Sequence, residues 1–165
     1  MALQGSDVIA RPFAKMKKAA LLLCPFFLMG CSSAVPNSPS PISEKEGEII
    51  MRLAIDQKEV EVEWEENDSV KALALLSKET LSIAMHRYGG FEQTGPIGTS
   101  IVSNDVQMDV VPGDIVLYNG NAISVFFQPS AWSYTKLGHI QESQEKLIEL
   151  LDSESVRFVL KGETK

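Results

Sequence analysis

Basic clusters are scarce in this chain of 165 residues, and their scarcity excludes nucleic-acid binding. Fifteen Lys and Arg face twenty-two Asp and Glu, and the one basic cluster lies around residues 16–18. Nucleic-acid binding depends on a basic stripe that displaces counterions from phosphates. We therefore expect no nucleic-acid partner.

Cysteine and histidine are also rare. The two cysteines, Cys24 and Cys31, lie in or at the end of an apolar N-terminal run, so no disulfide framework is predicted. The two histidines, His86 and His139, have no partner at metal-ligand spacing. Glycine-rich phosphate loops and nucleophile-elbow motifs are missing too. We expect no metal site and no cofactor.

Residues 1–30 have the pattern of a secretory signal peptide. Met16, Lys17 and Lys18 precede eleven apolar residues, which are too few to span a bilayer but match the apolar region of a signal. The alternative is a helix that merely ends in a cysteine. Met16 is a possible true start of translation.

The end of this apolar run resembles the lipobox of bacterial lipoproteins, through Leu28-Met29-Gly30-Cys31. The resemblance implies that the Cys31 thiol is acylated and becomes the mature N-terminus. Residues 31–47 are then the lipid anchor and a polar, Pro/Ser-rich tether. The predicted location is the bacterial cell envelope, facing the periplasm or the exterior, with the lipid as the one membrane contact.

A folded domain is predicted over residues 48–161. Period-two alternation first indicates a hairpin with one wet face. Its apolar positions are Ile49, Met51, Leu53, Ile55, Val60, Val62 and Trp64. Asn67 to Ser69 and Ser143 are suited to cap two short helices, ending near Lys78 and Leu151.

Further short strands are predicted at residues 81–85, 115–118, 122–128, 132–140 and 156–160. The segment 88–98 holds four glycines in eleven residues and is predicted to be a loop. Short strands, two helices and no alternation of strand and helix favour a mostly β fold, an antiparallel sheet closed into a small barrel.

Three segments in order carry a family resemblance. They are YGGFEQTGPIG at 88–98, PGDIVLYNGN at 112–121 and SAWSYTKLGHI at 130–140. Together they resemble the bacterial cyclophilin-like fold family over essentially the whole domain. The resemblance implies a closed eight-stranded cyclophilin-like β-barrel with two short capping helices. Members of this family have no settled biochemical role, so the chemistry stays open.

Glu92 is the first candidate for a catalytic residue. It is the only carboxylate between Glu79 and Asp105, and it lies in the glycine-rich segment beside Tyr88 and Phe91. Aromatic neighbours should raise its pKa and make it a usable acid or base. Alternatively, Glu92 accepts hydrogen bonds from backbone N–H groups and fixes the shape of the loop.

The surrounding side chains predict a ligand pocket. The candidate ligand-binding residues are Tyr88, Phe91, Gln93, Trp132 and Tyr134. Aromatic and hydroxyl side chains alternate along the strand from Trp132 to Thr135, as in the lining of small-ligand or peptide pockets. Core packing explains half of that pattern equally well.

Arg87 is the second catalytic candidate. Met85-His86-Arg87 is similar to the Phe-His-Arg of true cyclophilins, whose arginine hydrogen-bonds the prolyl nitrogen and lowers a barrier of about 18–20 kcal/mol. The phenylalanine and glutamine that should follow come too soon here, as Phe91 and Gln93.

These observations predict a lipid-anchored cyclophilin-like barrel that acts as a binding module for a small molecule or an extended peptide. Two enzymatic alternatives stay open. One is a divergent peptidyl-prolyl cis-trans isomerase that uses Arg87, and the other is an acid–base enzyme that uses Glu92.

Overall fold

The computed structural model describes residues 49–165, which form ten strands and two helices. The elements in chain order are β1 (Ile49–Ile55), β2 (Lys58–Val60), β3 (Val62–Trp64), α1 (Asp68–Ser77), β4 (Leu81–Tyr88), β5 (Glu92–Pro96), β6 (Val106–Val110), β7 (Asp114–Tyr118), β8 (Ala122–Phe126), β9 (Ser130–Ile140), α2 (Gln144–Leu151) and β10 (Ser155–Thr164). The predicted signal peptide, the lipidation site Cys31 and the tether lie outside the described residues.

The strands form an antiparallel sheet that nearly closes on itself. Its order is β2-β1-β10-β4-β5-β8-β7-β9-β3, and β6 pairs with β9 off this path. Glu61 alone separates β2, which pairs with β1, from β3, which pairs with β9. The segment 58–64 therefore joins the two ends of the sheet and acts as one of eight wall positions. The predicted small cyclophilin-like barrel with two short helices is confirmed.

Alternate positions of the strands fill the interior of the barrel. Leu53, Ile83 and Ile115 are fully or almost fully buried, and Phe158 adds an aromatic ring to the same cluster. Burial of each such side chain contributes roughly 1.5–3 kcal/mol of transfer free energy. The interior is thus a packed apolar core.

Both helices begin where the sequence predicts. The Asn67 side chain accepts a hydrogen bond from the Val70 N–H at 2.9 Å, and Ser143 accepts one from the Lys146 N–H at 3.3 Å. Each cap satisfies one of the free N–H groups of a first helical turn. The apolar stripes are Val70, Leu73 and Ala74 in α1 and Leu147, Leu150 and Leu151 in α2.

Three local predictions need correction. The segment 88–98 is not all loop, because β5 occupies Glu92–Pro96. The first hairpin is two-stranded only as far as Val60, after which the chain crosses to pair with β9. Strand β6 was not predicted at all, although Val106, Met108 and Val110 alternate there with polar residues.

Within residues 49–165, no helix is both long and apolar enough to cross a membrane.

The seam between β3 and β9 depends on a close backbone approach at Gly138. A Cβ at this position would lie 2.7 Å from the Glu63 carbonyl oxygen. We predict that Gly138→Ala forces the two strands apart and destabilises the domain by about 1–3 kcal/mol. Hydrogen exchange should show lost protection in β3 and β9.

A matched control is Gly98→Ala, because a Cβ there meets nothing within 4 Å. The loss of stability is then limited to that of placing alanine at a positive φ. It should leave protection in β3 unchanged. Equal protection of β3 in both variants would show that this seam does not hold the barrel closed.

Candidate functional site

A tight hairpin between β4 and β5 positions the candidate site. Gly89 and Gly90 turn the chain with φ of 58° and 76°, conformations that side-chain-bearing residues rarely adopt. A Cβ on Gly89 would overlap the Phe91 ring, so glycine there lets this ring fold back over the turn. The Phe91 ring then stacks on Phe126 of β8, with centroids 6.3 Å apart.

Strand pairing brings an aromatic cluster to the outer wall of the barrel. Glu92 lies opposite Tyr88 on one side and opposite Phe126 on the other. The Phe126 and Tyr134 rings meet edge-on, with centroids 5.6 Å apart. The Tyr134 and Tyr118 rings meet in the same way, with centroids 6.0 Å apart. Edge and stacked contacts of this kind fix ring orientation as well as burying area.

These rings enclose an open cavity of about 510 Å³ on the outer wall. Its lining residues are Tyr88, Phe91, Glu92, Thr94, Tyr118, Ser124, Ser130, Ala131, Trp132 and Tyr134. All three tyrosines of the chain are among them. A volume of several hundred Å³ with mostly aromatic walls and few polar groups is typical of a small-ligand site.

Glu92 is the one ionisable carboxyl group of this lining. Its side chain is only 6% exposed, and its Oε2 atom is buried without a hydrogen-bond partner. Burial raises the pKa of Glu92, and a hydrogen bond from the Ser124 hydroxyl opposes the rise less strongly. The carboxyl group is thus poorly solvated and poorly paired.

The Ser124 hydroxyl has two competing acceptors. It lies 2.9 Å from Thr94 Oγ1, which in turn donates to the Ile123 carbonyl oxygen at 3.3 Å. Because a hydroxyl carries a single hydrogen, Ser124 cannot donate to Thr94 and to Glu92 at the same time. When Ser124 donates to Thr94, Glu92 accepts no hydrogen bond from Ser124.

Tyr134 responds to the same environment. Burial raises the pKa of the Tyr134 phenol first, and the charges of Glu92, Tyr118 and Tyr88 raise it further. Tyr134 therefore stays neutral at physiological pH.

Of the predicted site residues, the structure brings together Glu92, Tyr88, Phe91, Trp132 and Tyr134. It does not bring Gln93 to them. Gln93 is fully buried, and its amide nitrogen donates to the carbonyl oxygens of Leu151 at 2.8 Å and Ser153 at 2.6 Å. The expectation that Gln93 lines the pocket is wrong, because neighbouring residues of a strand face opposite sides.

Arg87 also lies on the other side of the sheet. It pairs with Gln93 in the strand register, forms an ion pair with Asp152, and places its guanidinium 5.7 Å from the centre of the Phe127 ring. Arg87 is thus separate from the cavity that contains Glu92.

Sequence reasoning missed five of the lining residues: Thr94, Tyr118, Ser124, Ser130 and Ala131. Two of them had a detectable signal. Once β5 is recognised as a strand, Thr94 must share the face of Glu92. Ser124 is a single polar residue within the apolar strand β8, which marks a contact with something other than the core.

The fold and the outer-wall cavity define a mostly β barrel of the cyclophilin-like class. Comparison with family models identifies it: the model of the Cyclophilin-like family matches residues 53–161. The chain belongs to this family.

Among solved structures, one similar chain is the hypothetical protein AF2241 from Archaeoglobus fulgidus, determined in solution. It is 22% identical with a TM-score of 0.49, and the match covers 73% of this chain and 98% of that one. No curated protein matches the chain.

The buried carboxyl group predicts a pH-dependent stability. Because the folded-state pKa of Glu92 is raised, the folded state is favoured below the ordinary carboxyl pKa and loses that advantage as the pH rises through the raised value. Glu92→Gln should remove this loss. The variant should be more stable than the wild type at neutral pH, by on the order of 1 kcal/mol, and equal to it in acid.

Thermal melts of both proteins from pH 4 to pH 8 measure this difference. Glu142→Gln, an exposed position ahead of α2, is the control and should follow the wild type throughout. A variant Glu92→Gln that is less stable at every pH would instead show that the carboxylate holds the local structure together.

Proposed function

We propose that the protein is a binding module whose ligand, a small molecule or a segment of an extended peptide, occupies the outer-wall cavity around Glu92. The observation that carries this proposal is the buried, unpartnered Oε2 atom of Glu92, a residue that lines a cavity walled by aromatic rings. Buried polar groups are normally hydrogen-bonded, and an exception at a cavity wall is explained by a group that arrives with the ligand.

Exposed rings at the cavity support the same proposal. Tyr88 is 63% exposed and Trp132 is 58% exposed, although both are large and mostly apolar. Large aromatic residues left in solvent beside a concave surface are typical of binding sites, because a ligand can cover them.

An acid–base enzyme that uses Glu92 is the second candidate. The raised pKa of Glu92 favours it, since burial lets the carboxyl group keep its proton more readily and so serve as an acid as well as a base. A prolyl isomerase that uses Arg87 has less support, because the Arg87 guanidinium is engaged by Asp152 and Phe127 away from this cavity.

Occupation of the cavity can be measured with three fragments built on one ring: benzylamine, benzyl alcohol and benzoate. We predict that at least one of them shifts the NMR signals of the Trp132 indole N–H and the Glu92 and Ser124 amides in the full chain. Trp132→Ala should weaken that fragment about tenfold, which corresponds to 1.4 kcal/mol of lost ring contact.

Leu75→Ala is the matched control, because Leu75 is an exposed apolar residue on α1 outside this cavity. It should bind the fragment as the wild type does. If none of the three fragments shifts the cavity signals, or if the shifts lie elsewhere, the cavity is not a binding site.

We further propose that the binding module is held at a bacterial cell envelope by a lipid on Cys31. The support is the positively charged start, the short apolar run and the lipobox-like segment that ends at Cys31. The lipid would be the protein's one link to the membrane.

Metabolic labelling with palmitate in a bacterial host tests the anchor. The wild-type chain should incorporate label and sediment with membranes, while Cys31→Ser should do neither. Cys24→Ser is the matched control and should behave as the wild type. Labelling that persists in Cys31→Ser would contradict an anchor on this residue.

A further inference from the structure

We propose that the outer-wall cavity recognises a protonated primary amine, with the ammonium group bound by Glu92 and held against the tyrosine and tryptophan rings. This inference rests on the proposed binding function and names the chemical class of the ligand.

The first argument is the missing hydrogen-bond donor. Glu92 Oε2 is buried and accepts no hydrogen bond, and the Ser124 hydroxyl is shared with Thr94. A buried carboxylate needs donors or a counter-charge. A primary ammonium group supplies both, since it carries three N–H donors and a positive charge.

The second argument is charge. Among the ten residues that line the cavity, none is Lys, Arg or His, so nothing in the wall neutralises Glu92. An anionic ligand would meet this carboxylate without compensation. Residues 49–165 also carry ten Lys and Arg against eighteen Asp and Glu, a surplus that attracts cations and repels anions.

The third argument is the nature of the walls. The rings of Tyr88, Tyr118, Tyr134, Phe91 and Trp132 all line the cavity. The face of an aromatic ring attracts a cation, most strongly for tryptophan. The same rings pack against the apolar tail of an amine, so head and tail are both accommodated.

The donor requirement separates primary amines from quaternary ones. A quaternary ammonium can use the rings but has no N–H to give to Oε2. A primary ammonium can also donate to the hydroxyl oxygens of Ser124 and Thr94, which lie 2.9 Å apart beside the carboxyl group. The carboxyl group of Glu92 and the hydroxyl groups of Ser124 and Thr94 therefore favour the primary amine.

Amine binding should be linked to a proton. Burial raises the pKa of Glu92, so at a pH below that raised value the free protein carries a protonated carboxyl group. When an ammonium ion binds, Glu92 loses this proton to the solvent and the amine keeps its own. The charge balance predicts proton release on binding, and an apparent affinity that rises with pH until Glu92 is fully ionised.

The test compares the affinities of benzylamine, benzyl alcohol and benzoate for the full chain by NMR titration. Benzylamine should bind at least about tenfold tighter than benzyl alcohol, and benzoate should bind weakest. In Glu92→Gln the advantage of the amine over the alcohol should vanish. Titration calorimetry in two buffers of different ionisation heat should detect proton release with benzylamine alone.

Two further probes identify the source of the amine and the role of the N–H donors. Benzylamine represents a free small amine, and a lysine tripeptide blocked at both ends represents a side chain of an extended peptide. The probe that binds more tightly indicates whether the amine comes from a free small molecule or from a peptide side chain. Benzyltrimethylammonium, which keeps the ring and the positive charge but has no N–H, should bind more weakly than benzylamine, and tighter binding would overturn the donor argument.

Failure of this inference is distinguishable from failure of the binding function. If benzyl alcohol or benzoate shifts the cavity signals as strongly as benzylamine does, the cavity binds ligands but not amines as a class. An amine advantage that survives in Glu92→Gln would likewise overturn the assignment. Absence of any cavity shift would contradict both proposals.

Discussion

Closure of the barrel is the constraint on which the rest of the structure depends. The segment 58–64 pairs with β1 at one end of the sheet and with β9 at the other, so the interior is walled on all sides. Aliphatic side chains and Phe158 fill that interior. Apolar side chains pack this interior as they do other native cores. The cavity that contains Glu92 lies instead on the outer wall.

The outer wall has its own small apolar cluster, and this cluster shapes the cavity. Val110, Val116, Phe126 and Tyr134 are buried there, with Phe91 and Met108 packed against them. Strand β6 covers part of the wall through its pairing with β9, and the β4–β5 hairpin bends Phe91 over another part. The cavity is lined by Tyr88 and Phe91 of this hairpin and by Trp132 and Tyr134 of β9.

The sequence predicts the barrel well because half-buried strands show a clear period of two. Met51, Leu53 and Ile55 are all buried, as this period requires. Strand β5 was missed because Glu92-Gln93-Thr94-Gly95-Pro96 lacks apolar alternation and has turn-forming residues at its end. Its face is set by neighbouring strands, which local sequence does not reveal.

The same limitation explains which part of the site was predictable. The residue types of Tyr88, Glu92 and Trp132 marked a polar and aromatic site before any fold was known. The sequence did not predict which side of the sheet each residue of the segment 88–98 faces, because a loop has no regular alternation of faces. Gln93 was therefore grouped with Glu92, although a strand must place them on opposite faces.

Comparison of these two neighbours supports the proposed binding site on the outer wall. Glu92 and Gln93 are both buried, and each leaves one oxygen atom without a partner. Gln93 has a structural task, since its amide nitrogen holds the carbonyl oxygens of Leu151 and Ser153 where α2 leads into β10. The one hydroxyl that can donate to Glu92, that of Ser124, also bonds Thr94, and burial of Glu92 disfavours its ionisation. A fold that needed only stability would be better served by a neutral residue at this position, and this supports the ligand-binding role proposed for Glu92.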